Sequence, residues 1–223
     1  MNYKTTNKYF TQGNTLMYIG IGIAAVGLFF AIFWWWWWIF GAGIIAIGAA
    51  CIFIHREGLV KGEEVDSEVE KTAKEFEEKI VAAYNITRAS DTVITFTDYV
   101  FEGENALSMR KGTDGKFRPK NAMTTCMFMT GRKLVVEKKA FSVVEEKESE
   151  GSSVFEFSDI APLTIEDKAL EENGGVLVKY HTLEIKDRSG NTLLHTPIPQ
   201  SSIVYDRISD INREIRAAHR SEK

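Results

Sequence analysis

Positive side chains that could bind an anion are concentrated in one short stretch between two predicted strands. This stretch, SMRKGTDGKFRPKN at 108–121, carries Arg110, Lys111, Lys116, Arg118 and Lys120. The last three are spaced two residues apart, and on an extended chain such side chains face the same way. A row of this kind suits the phosphate of a lipid headgroup or an acidic peptide. An ordinary solvated loop is the alternative interpretation.

The sequence shows no pattern typical of catalysis or of a metal centre. Its four histidines and two cysteines lack the spacing of metal ligands. Met123, Met127 and Met129 alternate along one predicted strand, which favours core packing over metal binding. Glycine-rich phosphate loops, nucleophile elbows and zinc-protease motifs are missing from the sequence. We therefore expect a non-enzymatic protein without cofactor or metal.

Charge is distributed very unevenly along the 223 residues. Residues 9–55 contain no Asp, Glu, Lys or Arg, whereas the last 169 residues hold 25 basic and 31 acidic residues. A charge-free run beside a highly charged remainder predicts a membrane segment followed by one water-exposed domain. The overall charge of −4 argues against broad electrostatic binding of nucleic acid.

The apolar run at 16–54 follows a short N-terminal segment (1–15) and is too long for a single membrane span. As one helix its 39 residues would reach roughly 58 Å, about twice the thickness of the hydrocarbon core. A transmembrane helical hairpin is therefore predicted. Tryptophan prefers the membrane interface, so the turn is placed near 34–38. The residues there are Trp34, Trp35, Trp36, Trp37 and Trp38. Gly41 and Gly43 offer a competing reversal point.

Basic residues flank the apolar run at both ends. Lys4 and Lys8 precede it, and Arg56 and Lys61 follow it. The positive-inside bias therefore predicts a multi-pass protein of the plasma membrane with both termini and the charged domain in the cytoplasm. An export signal processed before Cys51 is the alternative, but the apolar run is far longer than a signal peptide needs.

Small residues recur at helical spacing in both predicted spans. They are Gly20, Ala24, Gly27 and Ala31 in the first span, and Ala42, Ala46 and Ala50 in the second. Faces of this kind permit close approach of helices in lipid. We expect the two spans to pack on each other through these faces, in preference to packing on another copy of the chain.

An amphipathic connector helix is predicted over 63–86. Ser67 and Glu70 have the spacing of a capping box. The apolar positions then recur every three or four residues, at Val69, Ala73, Phe76, Ile80 and Ala83. This stripe either packs on the domain that follows, which we favour, or forms a short coiled coil between copies. The second possibility is the basis of an alternative function, a homo-oligomeric membrane assembly or pore.

Beyond residue 91 the pattern changes to short alternating strands, which are followed by one helix. Thr130-Gly131-Arg132 is typical of a tight hairpin. The last helix has an apolar stripe that needs a partner surface. Its members are Val204, Ile208, Ile211 and Ile215. These features predict an α+β domain in which the C-terminal helix caps an antiparallel sheet.

The order of these elements resembles bacterial pleckstrin-homology-like (PH-like) domains carried on a membrane hairpin. Two short motifs support the resemblance, a hairpin at 130–134 (TGRKL) and a turn at 158–160 (SDI), and it covers 91–220. It implies a curled antiparallel β-sheet or barrel with a C-terminal capping helix, acting as a scaffold or ligand-binding module. The basic stretch then lies in the first hairpin, where lipid-binding members carry basic residues.

The fold class expected is thus a membrane protein with two transmembrane helices and an α+β cytoplasmic domain. We expect it to act as a membrane-anchored interaction module whose partners are membrane lipids or a protein that the sequence does not identify.

Overall fold

The computed structural model describes residues 1–33, 38–86, 93–102, 108–172 and 175–221. Its helices are α1 (Tyr3–Thr11), α2 (Thr15–Phe33), α3 (Trp38–Glu57), α4 (Gly62–Ala83) and α5 (Ser202–Ser221). Its strands are β1 (Val93–Tyr99), β2 (Met109–Lys111), β3 (Phe117–Pro119), β4 (Asn121–Thr130), β5 (Lys133–Ser142), β6 (Glu148–Glu156), β7 (Thr164–Glu172), β8 (Gly175–Lys186) and β9 (Thr192–Ile198). The chain divides into a helical unit (7–61) and a β-domain (1–6 with 62–223).

Two apolar helices, α2 and α3, make up most of the helical unit, and each is long and apolar enough to cross a membrane. They run antiparallel, since Gly20 of α2 lies against Gly48 of α3, whereas Gly27, further along α2, lies against the earlier Gly41. Trp34–Trp37, which we expected at the turn, lie outside the described residues, and Trp38 begins α3 with its side chain exposed. The competing reversal point at 41–43 lies inside α3.

The contact between α2 and α3 uses the predicted face of α2 but a different face of α3. On α2 it includes Gly20, Ala24, Gly27 and Ala31. On α3 it includes Gly41, Ile45, Gly48 and Ile52, whereas Ala42, Ala46 and Ala50 are exposed. The prediction for α3 therefore needs correction. A Cβ atom built on Gly48 would lie only 2.6 Å from the backbone oxygen of Gly20, so the contact excludes even an alanine methyl group.

The β-domain contains two antiparallel sheets and a separate hairpin. The sheet orders are β1-β4-β5-β6 and β7-β8-β9, and β2 pairs with β3. Inward-facing residues of both sheets, such as Phe96 of β1 and Leu183 of β8, share one hydrophobic core. The stripe predicted for α5 is buried in this core, at Val204, Ile208, Ile211 and Ile215. The layout is α+β, as the sequence predicts.

Helix α4 packs on the outer face of the four-stranded sheet. Its residues Phe76 and Ile80 contact Phe128 and Val135 of that sheet. Near the end of the helix, the Tyr84 hydroxyl donates a 2.6 Å hydrogen bond to Glu137. The sheet thus covers Phe76 and Ile80 of the apolar stripe, whereas Ala83 at the end of the stripe is exposed. The helix begins at Gly62, five residues before the predicted cap at Ser67.

Most strands lie where alternation predicts them, but three local features differ from expectation. The segment 1–15 contains α1, which the sequence analysis did not predict. Strand β3 was also missed because it has only three residues. The acidic run at 145–150 has the composition of a solvated loop, yet β6 begins at Glu148, which forms a 2.7 Å ion pair with Lys139 of β5.

Candidate functional site

The basic stretch folds into the β2–β3 hairpin, and its side chains divide between the hairpin's two faces. In the register of the two strands, Arg110 lies opposite Arg118, and Lys111 lies opposite Phe117. The Lys111 ammonium nitrogen lies 5.2 Å from the centre of the Phe117 ring, a cation–π distance. Neighbouring positions of a strand face opposite ways, so the two arginines lie on one face and Lys111 lies on the other.

Arg118 is buried and bound by two carboxylates, so it differs from the exposed cation expected from the sequence. Its side chain is 1% exposed. Nε and Nη2 donate to the two oxygens of Asp66 at 2.8 and 2.7 Å. Nη1 and Nη2 donate to the two oxygens of Asp114 at 3.0 and 2.6 Å. With both edges of its guanidinium occupied, Arg118 joins α4 to the hairpin instead of meeting an outside anion.

Two further contacts complete this cluster. The Tyr99 hydroxyl donates a 2.7 Å hydrogen bond to the same oxygen of Asp66 that accepts from Arg118 Nε. Gly62, the first residue of α4, lies against the guanidinium so closely that a Cβ atom there would overlap Arg118. The start of α4 therefore has to be glycine for the arginine to occupy this position.

The cluster lowers the pKa of both carboxyl groups, Asp66 and Asp114. Burial alone would raise the pKa of Asp66, but hydrogen bonds from Arg118 and Tyr99 outweigh it and lower this pKa. The hydrogen bonds from Arg118 hold the pKa of Asp114 far below its usual range. Both groups stay ionised at neutral pH, so two negative charges surround the single positive charge of the arginine.

A cleft of about 610 Å³ opens beside this cluster, and we call it the Asp98 cleft. It lies among the end of β1, the start of β8 and the β2–β3 hairpin. Its apolar lining includes Phe101, Phe117, Leu177 and Val178, and its charged lining includes Asp66, Asp98, Lys111, Lys116 and Arg118. Its volume is within the range typical of small-ligand sites.

The structure brings together only some of the five predicted basic residues. Lys111, Lys116 and Arg118 line the Asp98 cleft, and both lysines have exposed side chains. Lys120 is half-buried and lines a different cavity, of about 470 Å³, together with Glu145 and Lys147. Arg110 is half-buried on the same hairpin face as Arg118. The expected row of three parallel cations is therefore not formed.

Asp98, like Asp66, is a charged residue of the cleft that the sequence did not single out as part of a site. It follows Ile94 and Phe96 at spacing two, so the alternation that sends those side chains into the core turns Asp98 inward as well. The backbone N–H of Tyr99 donates a 2.7 Å hydrogen bond to its Oδ1 atom. Burial raises its pKa to about 6, although this hydrogen bond and the nearby His181 oppose the shift. The signal in the sequence was a charge at an inward position of VITFTDY.

Comparisons of the chain with protein-family models, with curated proteins and with solved structures found no match.

Proposed function

We propose that this chain is a membrane-anchored, non-enzymatic interaction module with a PH-like β-domain that contacts phosphate-bearing headgroups through the β2–β3 hairpin. In this proposal α2 and α3 cross the plasma membrane as a hairpin, and both termini and the β-domain are cytoplasmic. Two antiparallel sheets that share a core with a C-terminal helix support the PH-like assignment.

The observation that carries the headgroup proposal is the pair of exposed lysines on the Asp98 cleft. Among the described residues, neither Lys111 nor Lys116 forms an ion pair, whereas Arg118 beside them is neutralised by its own carboxylates. Ammonium groups at the rim of a cleft are suited to a phosphate. A membrane anchor would keep headgroups near the domain, so even a weak contact would orient it.

We expect the hairpin to respond to anionic lipid through these lysines. With the full chain in phosphatidylcholine nanodiscs, adding phosphatidylglycerol should slow hydrogen exchange in peptides that cover 108–120. The variant K111Q/K116Q should lose this protection. The matched control is Lys168→Gln, because Lys168 lies on β7 outside the cleft and is paired with Glu102 at 3.2 Å. Equal protection in wild type and K111Q/K116Q would remove the headgroup contact.

The proposed topology has its own test. Protease added to intact cells or right-side-out vesicles should leave the β-domain uncut, and permeabilisation should make it sensitive. The positive residues that flank the two helices are the physical reason for this expectation. Digestion of the β-domain in sealed, right-side-out vesicles would contradict the cytoplasmic placement, and it would leave the hairpin experiment unaffected.

A further inference from the structure

The charges that line the Asp98 cleft are of both signs, and only some are neutralised within the chain. Asp66, Asp114 and Arg118 form a closed cluster in which each carboxylate accepts two hydrogen bonds from the guanidinium. Three other charged residues line the cleft outside this cluster. They are the half-buried Asp98 and the two exposed lysines, Lys111 and Lys116. Among the described residues none of the three has an ion-pair partner.

The half-buried carboxyl group of Asp98 can accept a further hydrogen bond or contact a cation. In the part of the chain that the structure describes, its Oδ1 accepts from the Tyr99 N–H, and no donor is directed at Oδ2. Its carboxyl group is largely withdrawn from water, which raises its pKa to about 6. Asp98 is half-buried, and no cation contacts its carboxyl group among the described residues, so a ligand that supplies an ammonium group would be favoured at this position.

Lys111 and Lys116 are suited to a second, negatively charged group on a ligand whose ammonium group contacts Asp98. Lys116 is exposed in the hairpin turn, and Lys111 extends over the Phe117 ring at the side of the cleft. Both are suited to an anionic group that stays close to water. The apolar wall formed by Phe101, Leu177 and Val178 lies along the same cleft, and it suits the short carbon chain that would join an anion to an amine.

We propose that the Asp98 cleft binds an aminophosphate, with the ammonium group on Asp98 and the phosphate on Lys111 and Lys116. This inference rests on the proposed headgroup function and names the chemistry of the ligand. The same group occurs in phosphatidylethanolamine headgroups and in free phosphoethanolamine. A site for any anion would bind phosphate compounds with and without an amine equally well. The Asp98 cleft should prefer the compound that carries the amine.

The test compares two soluble probes that share a phosphate monoester and differ in the amine. Titrations of the full chain in phosphatidylcholine nanodiscs with phosphoethanolamine and with methyl phosphate should show about tenfold tighter binding of the first. Asp98→Asn should remove this preference. Methyl phosphate should bind the variant at least as tightly as the wild type, because a negative charge has left the cleft, and this binding also reports that the variant is folded. The double variant K111Q/K116Q should weaken the binding of both probes.

The outcomes separate this inference from the function on which it rests. Equal affinity of the two probes for the wild type, or a preference that survives in Asp98→Asn, would overturn the aminophosphate proposal and leave headgroup contact standing. If neither probe binds and anionic lipid gives no protection of 108–120, both proposals fall. If the lipid is the source, nanodiscs that contain phosphatidylethanolamine should compete with the soluble probe, and an unchanged affinity there would identify the free aminophosphate as the source.

Discussion

Replacing Arg118 with Met should lower the free energy of unfolding of the β-domain by about 3 kcal/mol at pH 7. The change removes all four hydrogen bonds from the guanidinium and leaves Asp66 and Asp114 without a cation. Loss of one partner from a buried ion cluster costs more than the cluster itself contributes, because the remaining charges stay partly desolvated. The two carboxylates are about one-third exposed (32% and 30%), so the expected cost is at the lower end of the range for buried pairs.

The effect of this substitution should depend on pH in a defined direction. In the folded protein the pKa values of Asp66 and Asp114 are both lowered from the usual 3.8. Groups shifted in this direction stabilise the folded state above the unfolded pKa, and the contribution is lost as pH falls through the folded pKa. The difference between wild type and Arg118→Met should therefore be full above about pH 4–5 and should shrink below pH 4.

The measurement is hydrogen exchange across α4 and the β2–β3 hairpin in the full chain, combined with urea unfolding that is followed by the circular dichroism of the β-sheets. The matched control is Lys116→Met, which removes an exposed cation from the same hairpin and should change stability by less than about 0.5 kcal/mol. If the two variants were equally stable, Arg118 would not join α4 to the hairpin.

Where residues alternate or repeat regularly, the sequence predicts the fold well. The inward residues of β1 and the stripe of α5 are read directly from spacing, and Gly131 has the positive φ of 59° that its hairpin turn requires. These elements are specified locally, since each depends on neighbours within a few positions. The same rule predicts that Asp98 faces inward, although a charged residue is seldom expected on the inner face of a strand.

The candidate site is harder to predict because its decisive partners are distant in sequence. Asp66 belongs to an acid-rich helix and has no local feature that distinguishes it from its neighbours, yet it binds Arg118, 52 residues away. The basic stretch therefore looks like a row of free cations until the tertiary structure brings Asp66 to it. On α3, spacing alone favoured the alanines at 42, 46 and 50, and only the distance between the two backbones shows that the contact requires glycine.

That distance gives the second large expected effect, at Gly48 of α3. A Cβ atom there would lie 2.6 Å from the oxygen of Gly20, 2.7 Å from the nitrogen of Ala24 and 2.9 Å from the Ala24 Cβ. The first two obstacles are backbone atoms, so no side-chain rotation can relieve the overlap, and α2 and α3 have to move apart. Gly48→Ala should therefore destabilise the helix pair by about 2 kcal/mol, in the range for overpacking a close contact.

The same substitution at Gly43 is the matched control, because it lies on the same helix and has no atom within 4 Å of its Cβ position. Alanine favours helix more than glycine does, so Gly43→Ala should be neutral or stabilising by about 0.5–1 kcal/mol. Unfolding of the full chain in detergent with increasing dodecyl sulfate measures both variants, with tryptophan fluorescence as a probe confined to 34–38. Opposite signs at 48 and 43 identify close backbone contact as the basis of the packing, because helix propensity alone would move both in the same direction. Similar stability of the two variants would mean that α2 and α3 do not pack through Gly48.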